Sequence, residues 1–291
     1  MPSQQISQTD LILNSDGSAY HLHLRDEHIA DHVILVGDQS RVQQISKHFD
    51  KIEHRFQNRE FVTHTGLVGK SRITVLSTGI GTDNIDIAIN ELDAAINIDP
   101  QSRQVKSERR KLNIIRIGTS GALQKDIPVG SNVISEFGLG FDGLIHYYEY
   151  EFDETERELT EKISQHLNLS SDVSSPYVCK GSEMLLNKLG KGMIPGITAT
   201  ASGFYGPQGR KLRLQLKDPG IEDKLGTFAY KNYRINNFEM ETSALYGLGS
   251  MLGHDCCTVC SIIANRIRKE FSKDYHKDVD GLIQTVLERI A

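Results

Sequence analysis

Three apolar runs of strand length set what this chain can become. His32-Val33-Ile34-Leu35-Val36, Arg72-Ile73-Thr74-Val75-Leu76 and Asn113-Ile114-Ile115-Arg116-Ile117 each stop at a segment rich in glycine. Near-continuous apolarity means burial on both faces, as in an internal, largely parallel strand. The stops are Gly37-Asp38, Ser77-Thr78-Gly79-Ile80-Gly81 and Gly118-Thr119-Ser120-Gly121, all read as turns. Helical segments follow. Ser40 to Phe49 is expected to be one. Asp83 is placed to cap another, with apolar positions Ile85, Ile89, Leu92 and Ile96. Val133-Ile134, Ile197 to Thr200 and Thr258 to Ala264 read as strands, and Glu241 to Leu252 and Val279 to Ile290 as helices. Strands alternating with helices predict an α/β fold.

The 291 residues are enough for two domains, but no linker or change of composition divides them, so one domain is expected. Residues 1–19 are polar and read as a loose tail without the pattern of a signal peptide. Asp99 to Lys111 (DPQSRQVKSERRK) is polar and basic and reads as an exposed excursion.

Composition removes several function classes. With 33 Lys+Arg against 38 Asp+Glu the net charge is −5, which does not suit nucleic-acid binding. No apolar run approaches the roughly 20 residues that span a bilayer, so no membrane partner is expected. Four cysteines (Cys179, Cys256, Cys257 and Cys260) are too few for a disulfide framework and fit a reducing cytoplasm. The C-x-x-C of Cys257 and Cys260 has no second ligand pair at zinc spacing, and the histidines form no metal motif. Core packing is expected for the first and no metal for the chain.

Gly138-Leu139-Gly140-Phe141-Asp142-Gly143 matches a dinucleotide fingerprint, but no helical pattern follows it; a flexible loop or turn is expected. More informative are arginines beside glycine turns. In Val36-Gly37-Asp38-Gln39-Ser40-Arg41, backbone N–H groups and a helix start can meet an anion that Arg41 also reaches. Arg116 lies inside an apolar run, where a guanidinium demands a partner. Together they suggest an oxyanion site. Glu239-Met240-Glu241 puts two carboxylates where a strand meets a helix, suited either to the helix dipole or to gripping a diol. Phe204-Tyr205-Gly206-Pro207-Gln208-Gly209-Arg210 offers a ring, an amide and a guanidinium in one loop.

These segments, with NREF (58–61), STGIG (77–81), IRIGTSGAL (115–123) and ANR (264–266), resemble the nucleoside phosphorylase family over about residues 20 to 290. Within it the likeness is greatest to the enzymes that cleave uridine. The resemblance implies a single α/β domain (residues 20–291), with a central mixed, partly barrel-like β-sheet flanked by helices. It implies that uridine and inorganic phosphate give uracil and ribose 1-phosphate, with no cofactor, phosphate being a co-substrate.

Position by position, the resemblance assigns phosphate to Gly37, Arg41, Arg59, Arg116 and Thr119. It assigns ribose to His21, Glu239, Met240 and Glu241, and the base to Phe204, Gln208, Arg210 and Arg266. Arg116, Gln208, Arg210 and Glu241 are the residues implied in catalysis. Arg59 and His21 resemble residues that serve a neighbouring subunit's site, so a homodimer is the minimal unit. Hexamers of three dimers occur in the family. The Asp99–Lys111 insertion, with five like charges, is expected to oppose that further packing.

Three departures stand out. Val36 and Gln39 replace prolines. Gly206-Pro207 reverses the usual order. Thr82-Asp83-Asn84 replaces Gly-Pro-Ser, so no interface cation is expected. A purine-cleaving or broad-specificity relative would carry an aspartate near Asn265-Arg266. A nucleosidase would not need the arginine set. A non-catalytic nucleoside-binding protein would have no reason to keep it together with the ribose carboxylate.

Overall fold

The structure, a computed structural model, describes residues 5–291. In chain order the first half contains β1 (His32–Val36), α1 (Gln39–Ser46), β2 (Lys51–Asn58), β3 (Phe61–Val68), β4 (Ser71–Ser77), α2 (Thr82–Asn97), β5 (Ile98–Asp99), β6 (Gln104–Val105), β7 (Asn113–Ala122) and β8 (Asn132–Gly140). The second half contains α3 (Glu154–Leu167), β9 (Tyr177–Lys180), α4 (Glu183–Leu189), β10 (Ile194–Thr200), α5 (Ile221–Thr227), β11 (Ala229–Tyr230), β12 (Tyr233–Glu239), α6 (Thr242–Met251), β13 (Asp255–Asn265), β14 (Glu270–Phe271) and α7 (Tyr275–Ile290).

The apolar runs lie where their burial pattern requires. β1 is parallel to both β4 and β7, and β7 is parallel to β13. The mixed sheet runs β11-β12-β10-β8-β13-β7-β1-β4-β3-β2. A further antiparallel pairing of β12 with β7, Phe238 opposite Gly121, closes one half into a barrel. Side chains alternate along each strand. Leu35 and Ile114 pack with α2 and α6, whereas Ile34, Ile115 and Ile117 pack with α1 and α7. Arg116 therefore shares a face of β7 with Ile114 and points towards α6.

Several expectations are corrected. The Gly118–Gly121 stretch is strand, not turn; small residues let β7 run on into the barrel crossing. Gly81, at φ +104°, holds the N-cap of α2, and Asp83 falls in its first turn. α1 ends at Ser46, short of Phe49, and starts under a cap from Asp38, which accepts from Ser40 N at 2.9 Å. Gly138 to Gly140 is also strand. A Cβ on Gly138 would lie 2.8 Å from Ser243 Cα, so the glycine admits the start of α6. Cys257 and Cys260 sit in separate apolar clusters, free and buried, which matches a packing role.

The excursion and the tail are both structured. β5 and β6 form a small hairpin, and three of the insert's five cations have acidic partners: Lys106 Nζ with Asp26 (2.8 Å), Arg110 with Asp31 (2.6 Å) and Lys111 with Asp255 (2.7 Å). Arg109 stays exposed and Arg103 meets backbone carbonyls, so the insert keeps part of its positive charge. Residues 1–4 of the expected tail lie outside the described residues. The rest of it packs down, with Leu11, Ser18 and Ala19 buried and Leu13 bridged to Ala19.

Candidate active site

Barrel closure brings the buried charges together. Arg116 comes from β7, and Glu239 and Glu241 come from the end of β12 and the N-cap of α6. Arg116 Nη1 lies 3.2 Å from Glu239 Oε2, and Nη2 donates to Glu241 Oε2. All three are buried. Burial alone would lower the Arg116 pKa; the Glu241 and Glu239 carboxylates outweigh it and hold the guanidinium charged. Two carboxylates share that one cation. Burial and the nearby Glu239 charge accordingly push Glu241 up against the pull of Arg116.

The two carboxylates are used differently. Glu239 accepts from Thr200 Oγ1 at 2.7 Å and from the backbone N–H groups of Glu241 and Thr242 at 2.9 and 3.0 Å. Its oxygens are thus spent on the first turn of α6, as suits a carboxylate at a helix start. Glu241 accepts one backbone bond, from Gly81 N at 2.8 Å, besides Arg116. Met240 between them is partly exposed.

Arg41, on α1, sends Nη1 to the Ile117 carbonyl at 3.3 Å. Burial, and then repulsion from Arg116, lower its pKa. Gly37 ends β1 beside Gly79, and Thr119 on β7 is partly exposed. The arrangement can bind an oxyanion and a diol next to it.

Gln208 and Arg210 form a second group. Gln208 is buried and its Oε1 accepts from Arg210 Nη1. The same nitrogen donates to the Phe204 carbonyl at 2.7 Å, and Arg210 Cζ stacks 3.8 Å from the Phe204 ring centre. Phe204 is half exposed and thus backs the guanidinium. Burial, with Arg266 nearby, pushes the Arg210 pKa down to about 10. Arg266 Nε pairs with Glu222 at 2.7 Å, leaving a buried Nη1 without a partner. β7 links the groups, since Gly121 lies against the Arg266 stem. A cleft of about 1380 Å³ opens beside Arg210 and Tyr205 and is lined further along by Leu212 to Leu216. It adjoins this second group, and the buried charges do not line it.

His21 and Arg59 lie next to each other, and Gln39 Nε2, beside Arg41, donates to the Arg59 carbonyl at 2.7 Å. Asn58 Nδ2 donates to the His21 carbonyl at 2.9 Å, and Glu91 holds the His21 backbone N–H (2.9 Å) and lies 2.5 Å from Nδ1. Arg59 is exposed at the β2–β3 turn with φ +53°. Sequence reasoning missed Thr200, Glu91 and Glu222, whose roles arise only from long-range pairing; it also missed Cys260, whose Sγ lies 3.6 Å from Arg116 Nη1.

The profile of the phosphorylase superfamily matches residues 31–291. The chain belongs to the phosphorylase superfamily. Within the superfamily, a uridine phosphorylase of Thermococcus kodakarensis is 31% identical over 90% of this chain and 83% of its own length. One of Haemophilus influenzae is 26% identical, covering 88% of this chain and 89% of its own. The crystal structure of a Trypanosoma brucei nucleoside phosphorylase, described as showing uridine phosphorylase activity, superposes with a TM-score of 0.89. It is 28% identical and covers 97% of this chain and 99% of its own. The expected α/β fold with a partly closed mixed sheet is the superfamily fold. No described helix is long and apolar enough to cross a membrane, and no described group of three ligating residues could hold a metal.

Proposed function

We propose that this chain is a uridine phosphorylase of pyrimidine salvage, cleaving uridine with phosphate to uracil and ribose 1-phosphate. The observation that carries the reading is Arg41 at the Ile117 carbonyl next to the buried Arg116–Glu241 pair, with the Gln208–Arg210 fork reached through Arg266, which lies against Gly121 of the same strand. Phosphate bound by the arginines attacks the anomeric carbon as the glycosidic bond breaks through an oxocarbenium-like state. Phosphate brings its own charge, so no general base is required. Arg116 and Arg41 fix its position, and positioning supplies much of the acceleration. Glu241, on releasing Arg116 to the phosphate, accepts from the ribose hydroxyls, with Met240 against the sugar. Gln208 and Arg210 stabilise the negative charge growing on the departing uracil, and Arg266 supports them. The catalytic unit is residues 20–291, it works without a cofactor, and four free thiols suit a cytoplasmic enzyme. The Asn265 amide serves the Gln124 and Ile127 carbonyls, so the position lacks a free acid for a purine nitrogen.

Uracil release from uridine is expected to require phosphate and to exceed hypoxanthine release from inosine. Equal uracil release in phosphate-free buffer would remove the reading.

The site also asks for a neighbour. Glu239 and Glu241 already engage Arg116, so an incoming dianion is served by a cation beyond Arg41. Arg59, exposed beside His21, is placed to give one to a second subunit, and His21 to meet the ribose 5′-hydroxyl there. The minimal unit is then a two-fold dimer. Mixing inactive Arg59→Ala and Arg210→Ala subunits should restore activity, because some mixed dimers hold one intact site. No recovery despite proven subunit exchange would place each site within one chain.

A further inference from the structure

The insert between α2 and β7 makes contacts that a solvated loop would not need. Arg103 sits in its tight turn at φ +54°, closed by Asp99, whose Oδ1 accepts from Ser102 N at 2.6 Å. From there the guanidinium reaches the N-terminal segment. Nε donates to the Ile6 carbonyl at 2.9 Å, and Nη2 donates to the carbonyls of Ser7 (2.7 Å) and Leu11. The Ile6 N–H donates back to the Arg103 carbonyl at 2.9 Å. Three carbonyls on one fork fix a segment that has no regular structure of its own.

The segment then folds over residue by residue. Asn14 Nδ2 donates to the Ala19 carbonyl at 3.0 Å, and Ala19 N donates to the Leu24 carbonyl at 3.0 Å. His21 lies in the loop that these bonds close. Just beyond it the same insert grips the chain again. Lys106 Nζ donates to Asp26 at 2.8 Å, and Arg110 donates to Asp26, to Asp31 at 2.6 Å and to the Ile29 carbonyl at 3.1 Å. The loop carrying His21 is therefore tied at both ends by one basic insert, while Glu91 of α2 holds its middle.

We propose that the Ile98–Lys111 insert is a positioning device for His21, with Arg103 as its principal residue. It holds His21 ready for the ribose 5′-hydroxyl bound in a neighbouring subunit. This rests on the reading of His21 given under Proposed function. Arg103 is a positioning residue, since it acts through the segment it holds.

Arg103→Gly is the informative variant, because glycine suits the left-handed backbone and only the guanidinium is lost. KM for uridine should rise about fivefold, the loss of one hydrogen bond's worth of binding, with kcat changed less than about twofold. KM for phosphate should stay as it was. With 5′-deoxyuridine, which lacks the group His21 would meet, wild type and variant should agree within about twofold. Amide exchange of residues 6–24 should quicken in the variant, independent of any activity. Unchanged exchange there, or an equal loss on both nucleosides, would overturn the proposal. If the wild-type protein cleaves no uridine at all, the functional reading falls and with it the role of His21. Faster exchange in the variant would still establish the clamp.

Discussion

Replacing Arg116 with alanine is expected to cost this protein both its catalysis and much of its stability. Among the described residues the guanidinium is the one cation paired with both Glu239 and Glu241, and all three are buried. Removing one partner of a buried ion pair leaves an uncompensated charge, at about 3–5 kcal/mol. Total stabilities run to about 5–15 kcal/mol, so a loss of this size will show as a large shift in urea unfolding. Activity should fall further than stability, by at least about 10³-fold in kcat/KM, because phosphate loses a donor present throughout the reaction. Arg116→Lys should recover part of the stability and little of the rate, since an ammonium cannot span two carboxylates and an oxyanion as a planar fork does. An Arg116→Ala protein that unfolds at the wild-type urea concentration would show that the buried charges are balanced elsewhere.

Arg210→Ala should behave in the opposite way: nearly native stability, and kcat/KM for uridine reduced by about 10²–10³. The side chain is only partly buried, on a loop, stacked on a half-exposed Phe204. In the proposed reaction it supplies charge at the leaving group, and the buried Gln208 accepts from it. The test is a comparison of two nucleosides. 5-Fluorouracil is the more acidic base and departs with less help, so the loss on 5-fluorouridine should be smaller than on uridine. Equal losses would mean that Arg210 binds the base without assisting its departure.

The residues that could be read from the sequence were those whose type conflicted with their surroundings. An arginine inside NIIRI or two acids closing a strand stand out from their neighbours. Arg116, Glu239 and Glu241 do converge, although Glu239 spends its oxygens on α6. Glu91 and Glu222 carried no such mark, being acids on helical segments like many others. Glu91 gains meaning only from His21, 70 residues earlier in the chain. Among the elements, buried strands were legible because both faces are apolar. β2 was not: its exposed positions alternate with partly buried ones, and charges fill the outward face. Glycine was misleading twice, at Gly118–Gly121 and Gly138–Gly140. It served there to let a strand or helix approach, where local patterns suggest a turn. The acidic partners of the basic insert were not legible from composition, since Asp26, Asp31 and Asp255 lie elsewhere in the sequence.

The turn at Arg59 carries a trade-off. A non-glycine residue held at φ +53° gives up roughly 1 kcal/mol of local stability. Glycine or asparagine would suit that backbone better, so selection for folding alone would replace the arginine. A laboratory search for heat-resistant variants is therefore apt to choose this position early, and to lose turnover when it does. On the shared site proposed above, the gain would be felt within one subunit and the loss at the site next door. A screen that scores expression or melting would record such a variant as an improvement.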